Sequence, residues 1–322
     1  MGCACLRIID FYSYADCSPL HRTKTRLELT VTNFDARPRR SVLYMPGSNT
    51  RAMQKGRELP ADGLILDLED SVAPEAKVEA RALIKAALDE GGYGSREIGV
   101  RTNGFDTEWG KDDVAAVAGM KCHAVVLPKV ETAKMVLEAV EILEKAGAPE
   151  DMKIWCMMET PLGILNAREI AFAHPRVGCF VMGTSDLQKD LRCRHTPDRL
   201  PFLYALQHCI MAARAAGIAI LDGVHLDLSD EEGFRKSCVQ GLELGMDGKT
   251  LIHPKTIDAA NEVFAPAESE VAWARKIIDA HAEAAKAGKG LVVVDGKLIE
   301  NLHVEDAKRV LALSDAINAR GT

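Results

Sequence analysis

The segment Gly63-Leu64-Ile65-Leu66-Asp67 is a short apolar run that ends in an acid and is followed at once by Leu68-Glu69-Asp70. The run is continuously hydrophobic and does not alternate, which is typical of a strand buried on both faces of a parallel sheet. Three acids therefore stand where this strand ends. We expect a parallel sheet covered by helices on both faces.

Seven further runs of the same kind follow one another along the chain. They are residues 41–44, 98–101, 124–128, 154–158, 179–182, 219–221 and 248–252. The stretches between them are amphipathic or alanine-rich, and residues 131–145 keep apolar side chains at a period of about 3.6 residues. Eight strands separated by helices predict an α/β fold, the (β/α)8 TIM barrel. A doubly wound sheet is the alternative, because strand spacing does not show whether a sheet closes.

A barrel also predicts that the functional polar side chains lie just after each strand, at the C-terminal face. The polar residues at the ends of the other runs are Ser48 with Arg51 and Lys55, Arg101 to Asn103, Lys129, Glu159 with Thr160, Thr184 to Asp186, Asp222 and His253. Loop polarity alone explains one such strand end but not several at equivalent positions. We therefore expect the active site at this face.

The barrel pattern ends near residue 265, and three domains are predicted. Residues 1–36 have no sustained periodicity and lack the features of a signal or transit peptide, so we expect a flexible or non-native extension without chemistry. Residues 37–265 form the catalytic barrel. Residues 266–322 form a small helix–hairpin–helix appendage, in which Asp295-Gly296 suits the tight turn of the hairpin and the last helix spans roughly residues 304–319.

Composition excludes several classes of protein. The 322 residues carry 40 Lys+Arg against 47 Asp+Glu, a net charge of −7, and 47% are hydrophobic. This balance excludes a disordered chain, and its sign argues against a nucleic-acid partner. No run approaches the roughly 18 apolar residues of a membrane span. Nine cysteines without a C-x-x-C pair favour a reducing cytoplasm.

Glu159 and Asp186 are the candidate metal ligands. They follow consecutive strands, so a barrel brings their carboxylates together. Two oxygen ligands without nearby His or Cys suit Mg²⁺, with Mn²⁺ as an alternative ion. The competing interpretation is that Glu159 caps the next helix and Asp186 bonds to its own turn. The residues alone leave both open.

Arg101 is the candidate for binding a carboxylate or a developing enolate, because its guanidinium is a planar fork of donors. Its alternative role is an ion pair with the acids Asp67, Glu69 and Asp70. Those acids are in turn candidates for orienting Arg101 or metal-bound waters. A tight turn followed by basic residues, at 47–55, suits a phosphate-bearing ligand.

Several of these segments together resemble the HpcH/HpaI aldolase and citrate lyase β-subunit superfamily. They are Arg40-Ser41-Val42-Leu43-Tyr44-Met45-Pro46-Gly47, Asp62-Gly63 with residues 67–74, Met158-Glu159-Thr160, Gly183-Thr184-Ser185-Asp186-Leu187 and Ile252-His253-Pro254. The resemblance extends from about residue 39 to the C-terminus. The chain is most similar to the branch of malyl-CoA lyases and (3S)-malyl-CoA thioesterases, and residues 103–110, 192–200 and 295–304 resemble the thioesterase side.

The resemblance implies a TIM barrel trimer or hexamer in which the appendage closes over a neighbour's active site. It implies Mg²⁺ on Glu159 and Asp186, and an acyl-CoA substrate. Residues and resemblance together give the residues that we expect in catalysis, namely Arg101, Glu69, Asp70 and Glu300. The residues that we expect to contact substrate and CoA are Tyr44, Arg51, Lys55, Arg101, Ser185, Ile252 and His253.

The activity we expect from this resemblance is hydrolysis of (3S)-malyl-CoA to malate and CoA. Glu300 stands where many lyases carry an aspartate, and a displacement of about 1 Å can cost 10²-fold in rate. Asn49 stands where malyl-CoA lyases have an arginine, which Arg51 would replace. The alternatives are a malyl-CoA, β-methylmalyl-CoA or citryl-CoA lyase, a CoA-independent class II pyruvate aldolase, and a non-catalytic subunit of a lyase complex.

Overall fold

The eight predicted strands form one closed parallel barrel. The computed structural model describes residues 36–286, 288 and 291–320, so the predicted N-terminal extension lies almost wholly outside the described residues. The strands are β1 Ser41–Pro46, β2 Gly63–Asp67, β3 Glu97–Arg101, β4 Ala124–Leu127, β5 Lys153–Met158, β6 Val177–Met182, β7 Ala219–Asp222 and β8 Gly248–Leu251. They are hydrogen-bonded in sequential order, and β1 pairs with β8 at Ser41 and Lys249. This closure confirms the TIM barrel over the doubly wound sheet.

Helices alternate with these strands. They are α1 Thr50–Lys55, α2 Lys77–Glu90, α3 Gly110–Val117, α4 Ala133–Lys145, α5 Pro161–Leu165, α6 Ala167–Ala171, α7 Thr184–Leu191, α8 Leu203–Ala216, α9 Glu231–Leu244 and α10 Ile257–Phe264. Each predicted run coincides with a strand to within two residues at either end. None of the helices that the structure describes is long and apolar enough to cross a membrane.

The barrel interior is filled around Trp155, which is fully buried. Its indole packs in a cluster with Val42, Ile65 and Val181 from other strands. Gly99 on β3 leaves room beside it, because a Cβ there would lie only 2.8 Å from Val126 Cγ2 and 3.8 Å from the indole ring. The interior is therefore a packed core that holds the strand ends in fixed positions.

The C-terminal elements form a helix, a hairpin and a helix: α11 Glu268–Lys286, β9 Val292–Val294, β10 Lys297–Ile299 and α12 Asn301–Asn318. Asp295 and Gly296 both have positive φ, 48° and 76°, as the two-residue turn requires. The sequence predicted the last helix from residue 304, but α12 begins three residues earlier. Glu300 occupies its N-cap position and donates its backbone N–H to His303 Nδ1 across 3.0 Å.

Candidate active site

Arg101 is the central cation of the barrel mouth. It ends β3 and is buried. Its Nε donates to Asp67 Oδ1 at 2.6 Å and its Nη2 to Asp67 Oδ2 at 2.7 Å, a two-bond contact with the last residue of β2. The ion pair that the sequence offered as an alternative role is therefore present. It fixes the plane of the guanidinium and leaves Nη1 for other groups.

The third nitrogen of Arg101 contacts the other two predicted acids. Nη1 lies 2.8 Å from Glu69 Oε2 and 3.3 Å from Asp70 Oδ2. Glu69 is buried, whereas the Asp70 side chain is 66% exposed. The guanidinium also lies over the ring of Tyr44, 4.9 Å from its centroid. The structure thus places Tyr44 beside Arg101, while Arg51 and Lys55 lie on α1.

Lys129 joins two acids of the site. It follows β4 and has a φ of 48°, in the left-handed region. Its backbone N–H donates to Glu159 Oε1 at 2.7 Å, and its ammonium donates to Glu69 Oε1 at 2.6 Å. Burial lowers the pKa of Lys129, but the carboxylates of Glu69, Glu159 and Asp186 outweigh it and raise that pKa. The sequence marked Lys129 only as a polar strand end.

Glu159 follows β5 and is only 2% exposed. It does not cap the next helix, because Thr160 Oγ1 fills that role by accepting from the Gly163 N–H at 3.1 Å. Gly183 leaves the space that the carboxylate occupies: a Cβ there would lie 2.3 Å from Glu159 Oε2. Glu159 is therefore held at the barrel mouth for a purpose other than capping.

Asp186 lies in the first turn of α7 and its side chain is 31% exposed. The N-cap residue of that helix is Gly183, which makes no side-chain capping bond. Lys189 Nζ stands 3.7 Å from Asp186 Oδ1. Asp186 therefore presents its carboxylate to the same region as Glu159, whose pKa its negative charge helps to raise.

The charge of this group of side chains fits a divalent cation. The carboxylates of Asp67, Glu69, Glu159 and Asp186 stand near Arg101 and Lys129, and the exposed Lys189 pairs with Asp186 from the solvent side. Burial and then the charge of Glu69 raise the pKa of Glu159 to about 7. Among the described residues, no three His, Cys, Asp or Glu side chains are arranged to hold a metal. Two carboxylates suffice for Mg²⁺, which completes its shell with water and substrate oxygens.

The remaining predicted contacts lie around this centre. Ser185 Oγ is buried and has no hydrogen-bond partner in the described part of the chain, as expected of a group that meets a ligand. Ile252 and His253 follow β8 and are exposed, and His253 Nδ1 accepts from the Lys255 N–H at 3.1 Å. Arg51 and Lys55 are exposed on α1.

Glu300 is exposed at the start of α12. No hydrogen bond or ion pair of the described residues links it to Arg101, Glu159 or Asp186. Within one chain it therefore stands apart from the site, and its assignment to catalysis remains a prediction about an assembly.

A second buried charge cluster lies between β7, β8 and the loop before α8, and sequence reasoning missed it. Asp222 ends β7 and is fully buried. It accepts from Lys249 Nζ at 2.8 Å and from Arg199 Nη1 at 2.7 Å. Burial alone raises the pKa of Asp222, but Lys249 and Arg199 together lower it. The sequence signals for this cluster were Asp222 at the end of a run and an internal lysine within strand β8, but the sequence did not show that they pair.

The fold and the charged side chains at the mouth of the barrel together define the class of protein. This is a TIM-barrel enzyme whose candidate active site fits a divalent cation. The chain belongs to the HpcH/HpaI aldolase/citrate lyase family, which residues 40–254 match. This confirms the family that the sequence motifs indicated.

Three known proteins show how closely the chain follows that family. A (3S)-malyl-CoA thioesterase from Cereibacter sphaeroides is 49% identical over 286 residues, which cover 89% of this chain and 98% of the relative. Citrate lyase subunit beta from Escherichia coli is 38% identical over 289 residues, 88% of this chain and 96% of the relative. A crystal structure of the protein CitE from Mycobacterium tuberculosis, in complex with magnesium, acetoacetate and coenzyme A, superposes with a TM-score of 0.69. It is 28% identical and covers 85% of this chain and 97% of that one.

Proposed function

We propose that this enzyme hydrolyses (3S)-malyl-CoA to malate and CoA in a Mg²⁺-dependent reaction. The observation that carries the proposal is the group formed by the buried Glu159 and Arg101 with the half-buried Lys129 beside Asp186. The near-full-length similarity to a protein named (3S)-malyl-CoA thioesterase supports the choice of substrate. The complex of CitE with magnesium and coenzyme A supports the metal and the acyl-CoA class.

Glu159 and Asp186 would hold the Mg²⁺, with Mn²⁺ as an alternative ion. When bound, the ion supplies a Lewis acid and a template for oxygen atoms of the substrate. Arg101 directs Nη1 towards the same space and stabilises negative charge that develops on a substrate oxygen. Tyr44 packs under the guanidinium and limits its movement.

Hydrolysis needs a water molecule that is activated beside the thioester. In the proposed step, a carboxylate removes a proton as the water oxygen bonds to the thioester carbon. The C–S bond then breaks, and the CoA sulfur leaves and takes up a proton. We assign the carboxylate to Glu300 of a neighbouring subunit, because Glu300 is exposed on its own chain. Asp70, exposed beside Arg101, is positioned to assist with polar contacts to substrate.

The anionic CoA requires local positive charge on a chain whose net charge is −7. Arg51 and Lys55 lie exposed on α1, next to the turn that follows β1. Asn49 accepts from the Ala52 N–H at 3.0 Å and caps this helix, so it is engaged in local structure. We therefore assign phosphate contacts to Arg51 and Lys55, and contacts with the acyl portion to Ser185, Ile252 and His253.

A homotrimer or hexamer is part of the proposal, since it brings Glu300 to a second chain. Large apolar side chains are exposed on α8 and just after α6, namely Tyr204, Met211 and Phe172, and on the hairpin, namely Val293 and Leu298. Exposed apolar side chains that lie near one another are typical of protein–protein interfaces. The described cysteines are free thiols, which suits the reducing cytoplasm.

A malyl-CoA or citryl-CoA lyase is the second candidate, supported by the 38% identity to citrate lyase subunit beta. Its reaction breaks the C–C bond and releases an oxo acid, such as glyoxylate, and acetyl-CoA. Incubation of the pure protein with (3S)-malyl-CoA and Mg²⁺ distinguishes the two reactions. Malate with free CoA supports the hydrolase, whereas glyoxylate without free CoA contradicts it.

The metal assignment has its own test. Glu159→Gln and Asp186→Asn should each abolish turnover and weaken Mg²⁺ binding, measured by calorimetry without substrate. Turnover that persists in both variants with unchanged Mg²⁺ dependence contradicts the metal site. Turnover of pyruvate and an aldehyde without any binding of CoA would support the class II aldolase instead.

A further inference from the structure

Lys129 contacts two acids of the site through two different groups. Its backbone N–H bonds to Glu159 Oε1 at 2.7 Å, and its ammonium bonds to Glu69 Oε1 at 2.6 Å. The backbone adopts the left-handed conformation, which is unfavourable for a residue other than glycine. A strained residue at a site is retained when its surroundings fix it in place. Here the two bonds to acids do so.

The carboxylate of Glu69 has an oxygen that its surroundings leave without a hydrogen bond. It is buried, and its Oε2 makes no hydrogen bond within the described residues, although it lies 2.8 Å from Arg101 Nη1. Its negative charge, after burial, helps to raise the pKa of Glu159. With the Lys129 ammonium in place, no three acids of the described residues are arranged to hold a metal, but Glu69 and Glu159 both bond to Lys129, so Glu69 is the acid that would turn towards the metal ligands if the ammonium were removed.

A third carboxylate on Mg²⁺ would harm the proposed reaction. The ion takes six oxygen ligands in near-octahedral geometry and uses few protein carboxylates when substrate oxygens must also bind. Glu159 and Asp186 leave positions open for the substrate. Glu69 would close one of them and would also leave Arg101 without its Glu69 contact.

We propose that Lys129 is a positioning residue that holds Glu69 on Arg101 and out of the coordination shell of Mg²⁺. The inference rests on the proposed Mg²⁺ site. The Lys129 ammonium holds Oε1 of Glu69, and Arg101 Nη1 lies against Oε2. The Lys129 backbone N–H holds one oxygen of Glu159 and leaves its other oxygen, Oε2, for the metal.

The test variant removes the ammonium group of Lys129 and keeps a side chain of similar length. Lys129→Met preserves the backbone N–H and carries the same left-handed backbone cost. With Mn²⁺ as the probe at pH 8, we expect about tenfold tighter binding and one fewer metal-bound water, because a third carboxylate adds charge to the site. Electron paramagnetic resonance and water proton relaxation measure the two effects. We expect kcat to fall about 10- to 100-fold. Lys129→Arg should restore the water count, and Lys129→Gln serves as a second neutral variant if the methionine chain does not fold.

Two further variants separate this role from a general effect of charge. Lys189→Met removes another cation near Asp186, one that is 70% exposed and does not contact Glu69. It should leave the water count unchanged. In a Glu69→Gln background, Lys129→Met should no longer alter metal affinity or water count.

The outcomes separate the inference from the proposed function. An unchanged Mn²⁺ water count in Lys129→Met overturns the inference, as does the same tightening in Lys189→Met. If the wild-type protein binds no Mn²⁺ that is sensitive to Asp186→Ala, the metal site itself fails.

Discussion

Asp67 binds the guanidinium of Arg101 through both of its carboxylate oxygens, at 2.6 Å to Nε and 2.7 Å to Nη2. The two residues end neighbouring parallel strands, where they are direct register partners. Two of the three guanidinium nitrogens are therefore committed to the scaffold. Only Nη1 is left for chemistry, and its direction is set by Asp67.

Asp67→Asn should lower kcat about 10²-fold, because the guanidinium loses the second charged bond that fixes its plane. Removing one partner of a buried ion pair also costs about 3–5 kcal/mol of unfolding free energy. Steady-state kinetics and urea unfolding measure the two effects. Asp70→Asn is the matched comparison, since this exposed acid lies 3.3 Å from the same guanidinium and should cost far less stability. An unchanged kcat in Asp67→Asn would show that Arg101 orients itself without Asp67.

Gly183→Ala should weaken Mg²⁺ binding by about 10- to 100-fold while the barrel still folds. The new Cβ would lie 2.3 Å from Glu159 Oε2 and 2.4 Å from Glu159 Cβ, so the whole Glu159 side chain must move. Calorimetric titration with Mg²⁺ measures the change. Gly119→Ala is the control, because its nearest neighbour atom would be 3.8 Å away. Equal metal affinity in both variants would contradict the placement of Glu159 as a ligand.

Mixing two inactive variants tests whether Glu300 acts across a subunit boundary. Glu300→Ala and Asp186→Ala should each be inactive alone. Hybrid oligomers made by unfolding and refolding a one-to-one mixture should recover roughly a quarter of the wild-type activity, because some sites combine both intact residues. No recovery in a mixture shown to be hybrid by mass spectrometry would mean that Glu300 does not act in trans.

Lowering the pH should reduce the unfolding free energy of the protein through protonation of Asp222. Its pKa in the folded chain lies below the ordinary value of about 3.9, so its stabilising effect is complete above that value and is lost as the pH falls further. The unfolding free energy from urea titrations between pH 5 and pH 3 should fall more steeply for the wild type than for Asp222→Asn. At pH 7 the variant should be about 3–5 kcal/mol less stable, because Lys249 stays buried without its partner.

A control variant separates Asp222 from acids in general. Glu262 forms an exposed ion pair with Arg235, and Glu262→Gln should keep the wild-type pH slope. Equal slopes for the wild type and Asp222→Asn would contradict the assignment.

Strand positions and the main acids were predictable from the sequence because both depend on local pattern. A buried parallel strand needs an uninterrupted apolar run, and a barrel brings the residues directly after each run to one face. Glu159, Asp186 and Arg101 were identified in this way. The capping alternative for Glu159 was decided only by the structure, where Thr160 accepts the helix N–H.

The features that the sequence did not reveal depend on long-range contacts. Lys129 looks like any lysine after a strand, and its importance comes from acids that lie 30 and 60 residues away along the chain. Lys249 lies inside a strand, where a charge is unexpected, but its partners Asp222 and Arg199 are known only from the fold. The early start of α12 depends on the contact between Glu300 and His303.

The far end of α12 is bonded to the barrel through Arg320, whose Nη1 donates to the backbone oxygen of Asp62 at 3.0 Å. The helix is 18 residues long, about 27 Å, and Glu300 stands at its other end. Because α12 packs against α11 and the hairpin, these elements would move together, and a tilt of a few degrees about this bond would displace Glu300 by roughly 1–2 Å. Such a shift is comparable with the effect of exchanging aspartate for glutamate. A substitution of Arg320 would therefore change where the Glu300 carboxylate stands while every group at the barrel mouth stays the same.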